Sequence, residues 1–257
     1  MKTRCTILIT GAASGIGRET ALLFARKGWY VGLYDVNRKG LESLRREIGA
    51  RDCCRKVMDV SAAESVEEGV KHFLRNTGGV MNVLFNNAGV LSMGAFENMH
   101  MRDAMRIIDV NLKGTLNCIH ASLGALRNTK NSRIINMSSA SALYGTSFLA
   151  VYSATKAAVC SLTESLNVEL GKYGIIVSDV RAPFVKTPLL EKEVKAPVME
   201  KLGVHLTPEE VAMVVWKAVF SRKIHKNTRG VAPLLALIRL PDFIFLRILK
   251  FLVLPRG

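Results

Sequence analysis

Cysteine is scarce in this chain of 257 residues, which contains five cysteines. The number is odd and no C-x-x-C pattern occurs, which argues against a disulfide framework and a thiolate metal site. We therefore predict no metal centre and a reducing compartment, the cytoplasm. The first predicted strand starts close to Met1, which leaves no room for a cleaved signal peptide. The cysteines are Cys5, Cys53, Cys54, Cys118 and Cys160.

Acidic residues are also in short supply. The chain has 21 Asp and Glu against 36 Lys and Arg, a net charge of +15. Over residues 211–257, Asp242 is the only acid beside nine basic residues, so more than half of the net charge lies in this last part. Basic proteins often bind nucleic acid, but no nucleic-acid module accompanies the charge. We expect no nucleic-acid partner.

The sequence has no internal repeat, no low-complexity linker and no uninterrupted apolar run that could span a bilayer. Apolar residues still make up 49% of it, which is enough for one large core. Short apolar runs alternate with helical patterns, and this alternation predicts an α/β fold, a parallel sheet with helices on both faces. Strands are predicted at 4–10, 30–35, 53–58, 80–85, 132–137 and 174–181, and helices at 15–27, 38–48, 61–76, 101–127 and 151–172, with a further helix after Thr207.

A glycine-rich turn lies where the first predicted strand becomes a helix, at residues 10–17 (TGAASGIG). Glycines there let the backbone approach a pyrophosphate, and a helix N-terminus offers free N–H groups to it. Asp35 follows the second predicted strand, 20 residues after Gly15. An acid at this distance can hydrogen-bond both ribose hydroxyls of adenosine and would repel a 2′-phosphate. The pattern predicts a dinucleotide site with NAD favoured over NADP, although Arg38 is close enough to hold a phosphate.

Tyr152 and Lys156 are four residues apart on a predicted helix, so they share one of its faces. A nearby ammonium favours the phenolate form, which makes tyrosine a usable general acid or base. Ser139 follows a predicted strand and places a hydroxyl at the carboxyl edge of the sheet. Asn86 and Asn87 begin the sequence NNAG at the same edge.

Together these motifs resemble the short-chain dehydrogenase/reductase family over about residues 4 to 220. Residues 10–17 match its TGxxxGIG cofactor motif, residues 86–89 match NNAG, and residues 59–60 match its adenine-contacting pair. The resemblance implies a single doubly wound Rossmann domain with a catalytic tetrad of Asn111, Ser139, Tyr152 and Lys156. It implies a cofactor site formed by Gly11, Ser14, Gly15, Ile16, Gly17, Asp35, Asp59, Val60, Asn87, Ala88, Gly89, Tyr152, Lys156, Pro183, Val185 and Thr187.

The resemblance also implies a role for each catalytic residue. Tyr152 would be the general acid/base, and Lys156 would lower its pKa and bind the nicotinamide ribose. Ser139 would orient the reacting oxygen, and Asn111 would hold a water in a proton relay to Lys156. Two departures from the family pattern stand out: Phe184 replaces the usual glycine after Pro183, and residues 229–233 are a weak substitute for the usual glycine-rich end of the sheet.

The chain continues into an apolar and basic extension, residues 233–257, after a catalytic domain of residues 1–232. Pro241 should break any long helix, and residues 243–254 form a short one with Arg247 and Lys250 on one side and Phe243, Ile244, Phe251 and Leu254 away from them. Three partners remain open for this segment: a membrane surface, a second subunit, or the substrate cleft of its own chain.

The function predicted on these grounds is an NAD(H)-dependent oxidoreductase that interconverts a hydrophobic alcohol, lipid-, steroid- or retinoid-like, and its ketone or aldehyde. We expect a small hydrophobic substrate, a homodimer or homotetramer, and peripheral contact with the inner face of a membrane as one interpretation of the extension. Two alternatives on the same fold are a non-catalytic cofactor-binding regulator and a membrane-tethering module.

Overall fold

A seven-stranded parallel sheet forms the centre of the protein in the computed structural model, which describes residues 4–191, 199 and 203–253. The strand order is β3-β2-β1-β4-β5-β6-β7. Short apolar runs such as residues 6–10 (TILIT) are buried over their whole length, as expected for strands covered on both faces. The strands are β1 (Thr6–Thr10), β2 (Tyr30–Asp35), β3 (Cys53–Val57), β4 (Val83–Asn86), β5 (Arg133–Met137), β6 (Ile176–Arg181) and β7 (His225–Asn227).

Ten α-helices are described, and most of them cover the two faces of the sheet. They are α1 (Gly15–Arg26), α2 (Arg38–Ile48), α3 (Ala63–Thr77), α4 (Met101–Ile108), α5 (Gly114–Asn128), α6 (Ala150–Gly171), α7 (Pro188–Glu191), α8 (Pro208–Val219), α9 (Val231–Leu237) and α10 (Asp242–Val253). Apolar residues of α1, α2 and α8 pack on one face of the sheet. Apolar residues of α3, α5 and α6 pack on the other. The predicted doubly wound α/β fold is therefore confirmed.

Four aromatic side chains form a cluster beside α1 and α8. Phe24 contacts Trp29 and Trp216 edge-on, each with ring centroids 5.1 Å apart. Phe220 continues the group from the end of α8, 5.0 Å from Trp216. Helix α8, the helix predicted after Thr207, begins with a reciprocal cap, in which Thr207 N donates to Glu210 Oε2 at 2.9 Å and Glu210 N donates to Thr207 Oγ1 at 3.4 Å. This cap fixes where α8 starts and aligns it beside α1.

One predicted helix, at 101–127, is interrupted. Residues 101–108 and 114–128 are α-helical, but Asp109–Lys113 form a π-helical turn between them. The extra residue in that turn rotates Asn111 to the inside, where it is buried. The sequence predicted the helix but not this turn, because a π turn has no distinct apolar period.

The seventh strand was missing from the sequence prediction. It lies at His225–Asn227, ahead of the glycine-containing stretch 229–233 considered as its substitute, and residues 231–237 instead form α9. The strand has the sequence HKN, which carries no apolar alternation. It pairs with β6, Asp179 lying opposite His225 in the register. Cross-strand contacts to buried polar groups hold it there.

A buried ionic network joins β6, β7 and α6. Arg181 Nη2 lies 2.6 Å from Cys160 Sγ and 2.7 Å from His225 Nδ1. Asp179, which has no exposed surface, lies 3.1 Å from His225 Nδ1, and His225 Nε2 lies 3.2 Å from Glu164 Oε1. Cys160, Glu164 and His225 have a spacing that a metal ion could use. The Arg181 guanidinium lies among these three residues and provides the positive charge that a metal ion would otherwise supply.

The last part of the chain forms α9 and α10, which Pro241 separates; the break at Pro241 and the second helix agree with the prediction, whereas α9 was not predicted. The proposed boundary between Ala232 and Pro233 falls inside α9, whose first residue, Val231, is buried. Leu254 and Arg256 lie outside the described residues. Among residues 4–191, 199 and 203–253, no helix combines the length and apolar character that crossing a bilayer requires.

The predicted separation of basic and apolar sides on the last helix is wrong. Arg247 lies four residues after Phe243 and four before Phe251, so at 3.6 residues per turn all three share one side of α10. All three are exposed. Lys250, seven residues after Phe243, is exposed on the same side. The inward side carries the half-buried Phe245 and Ile248 instead.

Replacing Arg181 by methionine should destabilise the protein by about 3 kcal/mol, because the buried Asp179 carboxylate loses its guanidinium partner. Urea unfolding at neutral pH measures this free energy. The matched control is Lys71→Met, which removes an exposed pair with Glu67 and should cost at most about 0.5 kcal/mol. Equal losses in the two variants would contradict a structural role for the network.

Candidate active site

A cavity of about 770 Å³ opens at the carboxyl edge of the sheet, beside β1 and β4. The two strands are neighbours in the sheet, and the chain leaves it in opposite directions from this point, which is where open α/β sheets bind ligands. The cavity is lined by twelve of the residues predicted from the sequence: Gly11, Ser14, Gly15, Ile16, Asp35, Asn87, Ala88, Gly89, Pro183, Val185, Thr187 and Ser139. Tyr152 and Lys156 line it as well.

The glycine turn brings α1 against the strands. Gly11 and Gly15 have positive φ angles of 65° and 52°, which favour glycine. A Cβ atom on Gly17 would collide with the carbonyl oxygen of Gly11, and one on Gly11 would lie 2.8 Å from Ala88 Cα. Asn87 Nδ2 donates to the carbonyl oxygens of Thr10 and Gly11 at 3.0 and 3.1 Å. Gly17 therefore serves this packing rather than the cavity wall.

The N-terminus of α1 consequently points into the cavity with its backbone N–H groups available. We call this part of the cavity the phosphate cradle. Because the glycines carry no side chains there, a phosphate group could approach the backbone N–H groups closely. Asp35 lies at the end of β2, where its Oδ2 accepts from Ala13 N at 3.0 Å and its Oδ1 from Asn37 N at 2.8 Å. The residues present thus fit a dinucleotide, with Asp35 at the ribose end of the cradle.

Two predicted cofactor residues, Asp59 and Val60, do not line the cavity. Asp59 Oδ1 accepts from Ser61 N at 2.9 Å and from Ser61 Oγ at 2.7 Å, so its carboxylate shapes the turn that leads into α3. Val60 is buried, and a Cβ on Gly114 would meet its side chain. An adenine contact by this pair remains a prediction.

Asn111 is buried beside the cavity without lining it. Its Oδ1 accepts from Val90 N at 2.8 Å, and its Nδ2 donates to Val90 O at 3.0 Å. A Cβ on Gly89 would lie 3.3 Å from Asn111 Oδ1 and 3.8 Å from Lys156 Nζ, so both groups come together around Gly89. The side chain of Asn111 therefore fixes the chain after β4, and its water relay remains a prediction.

Ser139, Tyr152 and Lys156 meet at the end of β5. Ser139 follows the strand, and Tyr152 and Lys156 lie on the first turns of α6. Ser139 Oγ accepts from Ser141 N at 3.2 Å and contacts Ser141 Oγ at 2.9 Å. Lys156 Nζ donates to Met137 O at 2.8 Å and lies 5.6 Å from the centre of the Tyr152 ring. The lysine is thereby held between the strand end and the tyrosine.

Burial governs the charges of this group. It raises the pKa of Tyr152 to about 12, against a hydrogen bond with Ser139 that lowers it. Burial lowers the pKa of Lys156 to about 8. Each charged form is costly alone in a dry site, whereas a phenolate beside an ammonium neutralises both. The lysine's effect on the tyrosine therefore depends on its being protonated.

One part of the cavity wall is mostly apolar, and the sequence did not identify most of it. It brings together residues that are far apart in the chain: Leu91, Tyr144, Leu149, Phe184, Leu189, Leu190, Leu206, Pro233 and Leu234. Phe184, noted as a departure from the family pattern, lies in this wall. Pro233 and Leu234 belong to α9, so the C-terminal extension forms part of the cavity of its own chain.

The polar groups of this wall are fewer and lie at its edge. His205 and Arg229 line the cavity there. Arg229 Nη2 donates to the carbonyl oxygen of His205 at 2.9 Å, and its Nε pairs with Glu210 Oε1 at 3.0 Å. Arg229 is thus engaged in holding residue 205 against α8.

Comparison with known proteins agrees with this geometry. The sequence profile described as short chain dehydrogenase matches residues 5–197. The 3-oxoacyl-[acyl-carrier-protein] reductase of Thermotoga maritima is 35% identical over 217 residues, 81% of this chain and 87% of that protein. The cyclohexanol dehydrogenase of an Acinetobacter species is 33% identical over 214 residues, 81% of this chain and 84% of that protein.

A solved structure shows the same architecture. The 3-ketoacyl-(acyl-carrier-protein) reductase of Brucella melitensis, complexed with NADH, superposes with a TM-score of 0.79 at 27% identity. The alignment covers 87% of this chain and 96% of that one. This chain belongs to the short-chain dehydrogenase/reductase family. It is an oxidoreductase with an NAD-binding Rossmann fold.

Removing the Ser139 hydroxyl should move the pH profile of alcohol oxidation to higher pH. The hydrogen bond from Ser139 lowers the Tyr152 pKa, so Ser139→Ala leaves the tyrosine harder to deprotonate. We expect the midpoint of the rise in kcat/KM to increase by about one pH unit, with kcat reduced at least about tenfold. Ser161→Ala, at an exposed serine of α6 that does not line the cavity, is the control and should keep the midpoint. An unchanged midpoint in Ser139→Ala would contradict this assignment.

Proposed function

We propose that this protein uses NAD(H) to interconvert a hydrophobic alcohol and its ketone or aldehyde. The observation that carries the proposal is that Ser139, Tyr152 and Lys156 line the same cavity as the glycine turn and a group of apolar residues. In such a site, the apolar wall holds the substrate so that its reacting carbon faces the catalytic groups. A substrate with a hydroxyl or carbonyl on an apolar frame matches this division of the cavity.

When bound, the nicotinamide supplies or accepts the hydride. In the oxidation direction, Ser139 binds the substrate oxygen and Tyr152 Oη takes the hydroxyl proton as hydride leaves the carbon. In reduction, Tyr152 returns that proton to the carbonyl oxygen. The Lys156 ammonium stabilises the phenolate form of Tyr152. The hydrogen bond from Lys156 Nζ to Met137 O holds the lysine in place.

The apolar substrate is supported by the wall residues rather than by the relatives. One relative is named for an acyl-carrier-protein substrate and the other for cyclohexanol. Phe184, Tyr144, Leu206 and Leu234 line the same cavity as the catalytic candidates, and their apolar surfaces favour an apolar substrate. A panel of alcohols of increasing apolar length, assayed by NADH formation, tests the proposal: kcat/KM should rise with length.

We also propose that the protein acts as a homodimer or homotetramer in the cytoplasm, at the inner face of a membrane. Exposed apolar side chains support the subunit contact: Met101 and Met105 on α4, Leu116 on α5 and Val168 on α6. The four free cysteines in the interior and the free Cys5 fit a reducing compartment. Gel filtration of wild type and Val168→Glu tests the assembly.

The cofactor preference follows from Asp35, whose carboxylate would meet a 2′-phosphate. We expect kcat/KM to favour NAD(H) over NADP(H) by about 1–3 kcal/mol. Asp35→Ala should reduce this preference, while Asp52→Ala, an exposed acid away from the cavity, should leave it unchanged. Equal kcat/KM values for the two cofactors in the wild type would contradict the proposal.

Tyr152→Phe should abolish turnover and leave NAD(H) binding nearly intact, because only the transferable proton is removed. Lys156→Ala should impair both turnover and binding. Turnover is followed by NADH absorbance and binding by NADH fluorescence. Substantial activity in Tyr152→Phe would reject the catalytic assignment and favour a cofactor-binding regulator.

A further inference from the structure

Helix α10 has two different sides. Phe245 faces inward, and its ring lies edge-on to Tyr144 with centroids 5.8 Å apart. Phe243 and Leu246 face outward, with 74% and 52% of their surface exposed. Phe251 and the basic Arg247 and Lys250 are exposed on that outward side too. The helix thus presents a surface that is both apolar and positively charged.

This combination indicates the kind of partner. Phe243 and Leu246 lie three residues apart on one side of the helix and are both exposed, and such a contiguous apolar surface is a mark of an interaction site. A purely apolar protein partner would leave Arg247 and Lys250 buried without counter-charge. If a second copy of α10 docked on this surface, Arg247 and Lys250 of one copy would lie against Arg247 and Lys250 of the other, and these like charges would repel. An anionic lipid surface satisfies both features, because apolar side chains insert while Lys and Arg reach the headgroups along their flexible stems.

The length and position of α10 fit a helix lying in the plane of a membrane. Twelve residues span about 18 Å, less than the hydrocarbon thickness of about 30 Å. The preceding helix, α9, contributes Pro233 and Leu234 to the cavity wall, and the inward side of α10 touches Tyr144 of the same wall. The exposed surface and the cavity wall are therefore parts of one continuous segment.

We propose that α10 docks on anionic lipid through Phe243 and Leu246, and that Phe245 holds Tyr144 so that a lipophilic substrate passes from the lipid into the cavity. The second half of this statement rests on the proposed function. Phe245 is a positioning residue, since it touches Tyr144 and does not line the cavity. The first half, docking on lipid, rests only on the exposed residues of α10 and does not depend on the proposed function.

Docking is tested with the full chain and lipid vesicles. Wild type should float with vesicles of phosphatidylcholine and phosphatidylglycerol, and much less with phosphatidylcholine alone. Phe243→Glu and Leu246→Glu should each weaken the partition coefficient at least about tenfold, because each removes apolar burial and adds a charge that anionic lipid repels. Met213→Glu is the control, since it makes the same change at an exposed apolar residue of α8.

Two outcomes would overturn the docking. Equal flotation of wild type and both variants would reject the lipid surface. Loss of an oligomer on gel filtration in Phe243→Glu, with flotation unchanged, would assign the same face to a second subunit. Circular dichroism confirms that each variant remains folded.

Substrate delivery is tested with two alcohols, a short water-soluble one and a long-chain one carried in the vesicles. Phe243→Glu should raise KM for the long-chain alcohol at least about fivefold and leave kcat and KM for the water-soluble alcohol unchanged. Phe245→Ala should keep flotation and raise KM for the long-chain alcohol in the same way. Unchanged KM in Phe245→Ala would reject the coupling. Flotation without turnover of either alcohol would reject the proposed function and leave the docking standing.

Discussion

The close approach of α1 to the ends of β1 and β4 is the constraint on which the site depends. Gly17 lies so near the Gly11 carbonyl that no side chain fits between them, and Asn87 bonds to the same turn from the neighbouring strand. This contact aims the N-terminus of α1 into the crevice between the strands. It also brings Ala13 N to the Asp35 carboxylate. A side chain at Gly17 would push α1 away from the sheet and disturb both the glycine turn and the Asp35 contact.

The group of Ser139, Tyr152 and Lys156 illustrates how burial and charge oppose each other. Lys156 is almost fully buried, and its ordinary charge is costly there, which is why its pKa falls to about 8. The same burial raises the pKa of Tyr152. Ser139 and the Met137 carbonyl provide the polar contacts that offset part of this cost. Because Tyr152 and Lys156 are both buried, a small change in local charge would strongly alter where a proton lies between them.

The C-terminal extension has a different relation to the core from the one its composition suggests. Its apolar residues are surplus to the sheet and its helices, yet Pro233 and Leu234 form part of the cavity wall. The outward residues of α10 remain exposed. One short segment therefore serves its own chain on one side and is available to a partner on the other. The inward contact with Tyr144 is what joins these two uses.

The sequence by itself determined the elements whose signals are local. Buried parallel strands are short apolar runs, helices repeat every 3.6 residues, and the turn at residues 10–17 and the cap at Thr207 are written in adjacent residues. Only the tertiary structure decided what depends on distant neighbours. Strand β7 has no apolar pattern and exists because Asp179 and Arg181 hold His225. The π turn turns Asn111 inward, and the apolar wall gathers residues from 91 to 234. Such features follow from packing between segments that are remote in the chain, which no local pattern encodes.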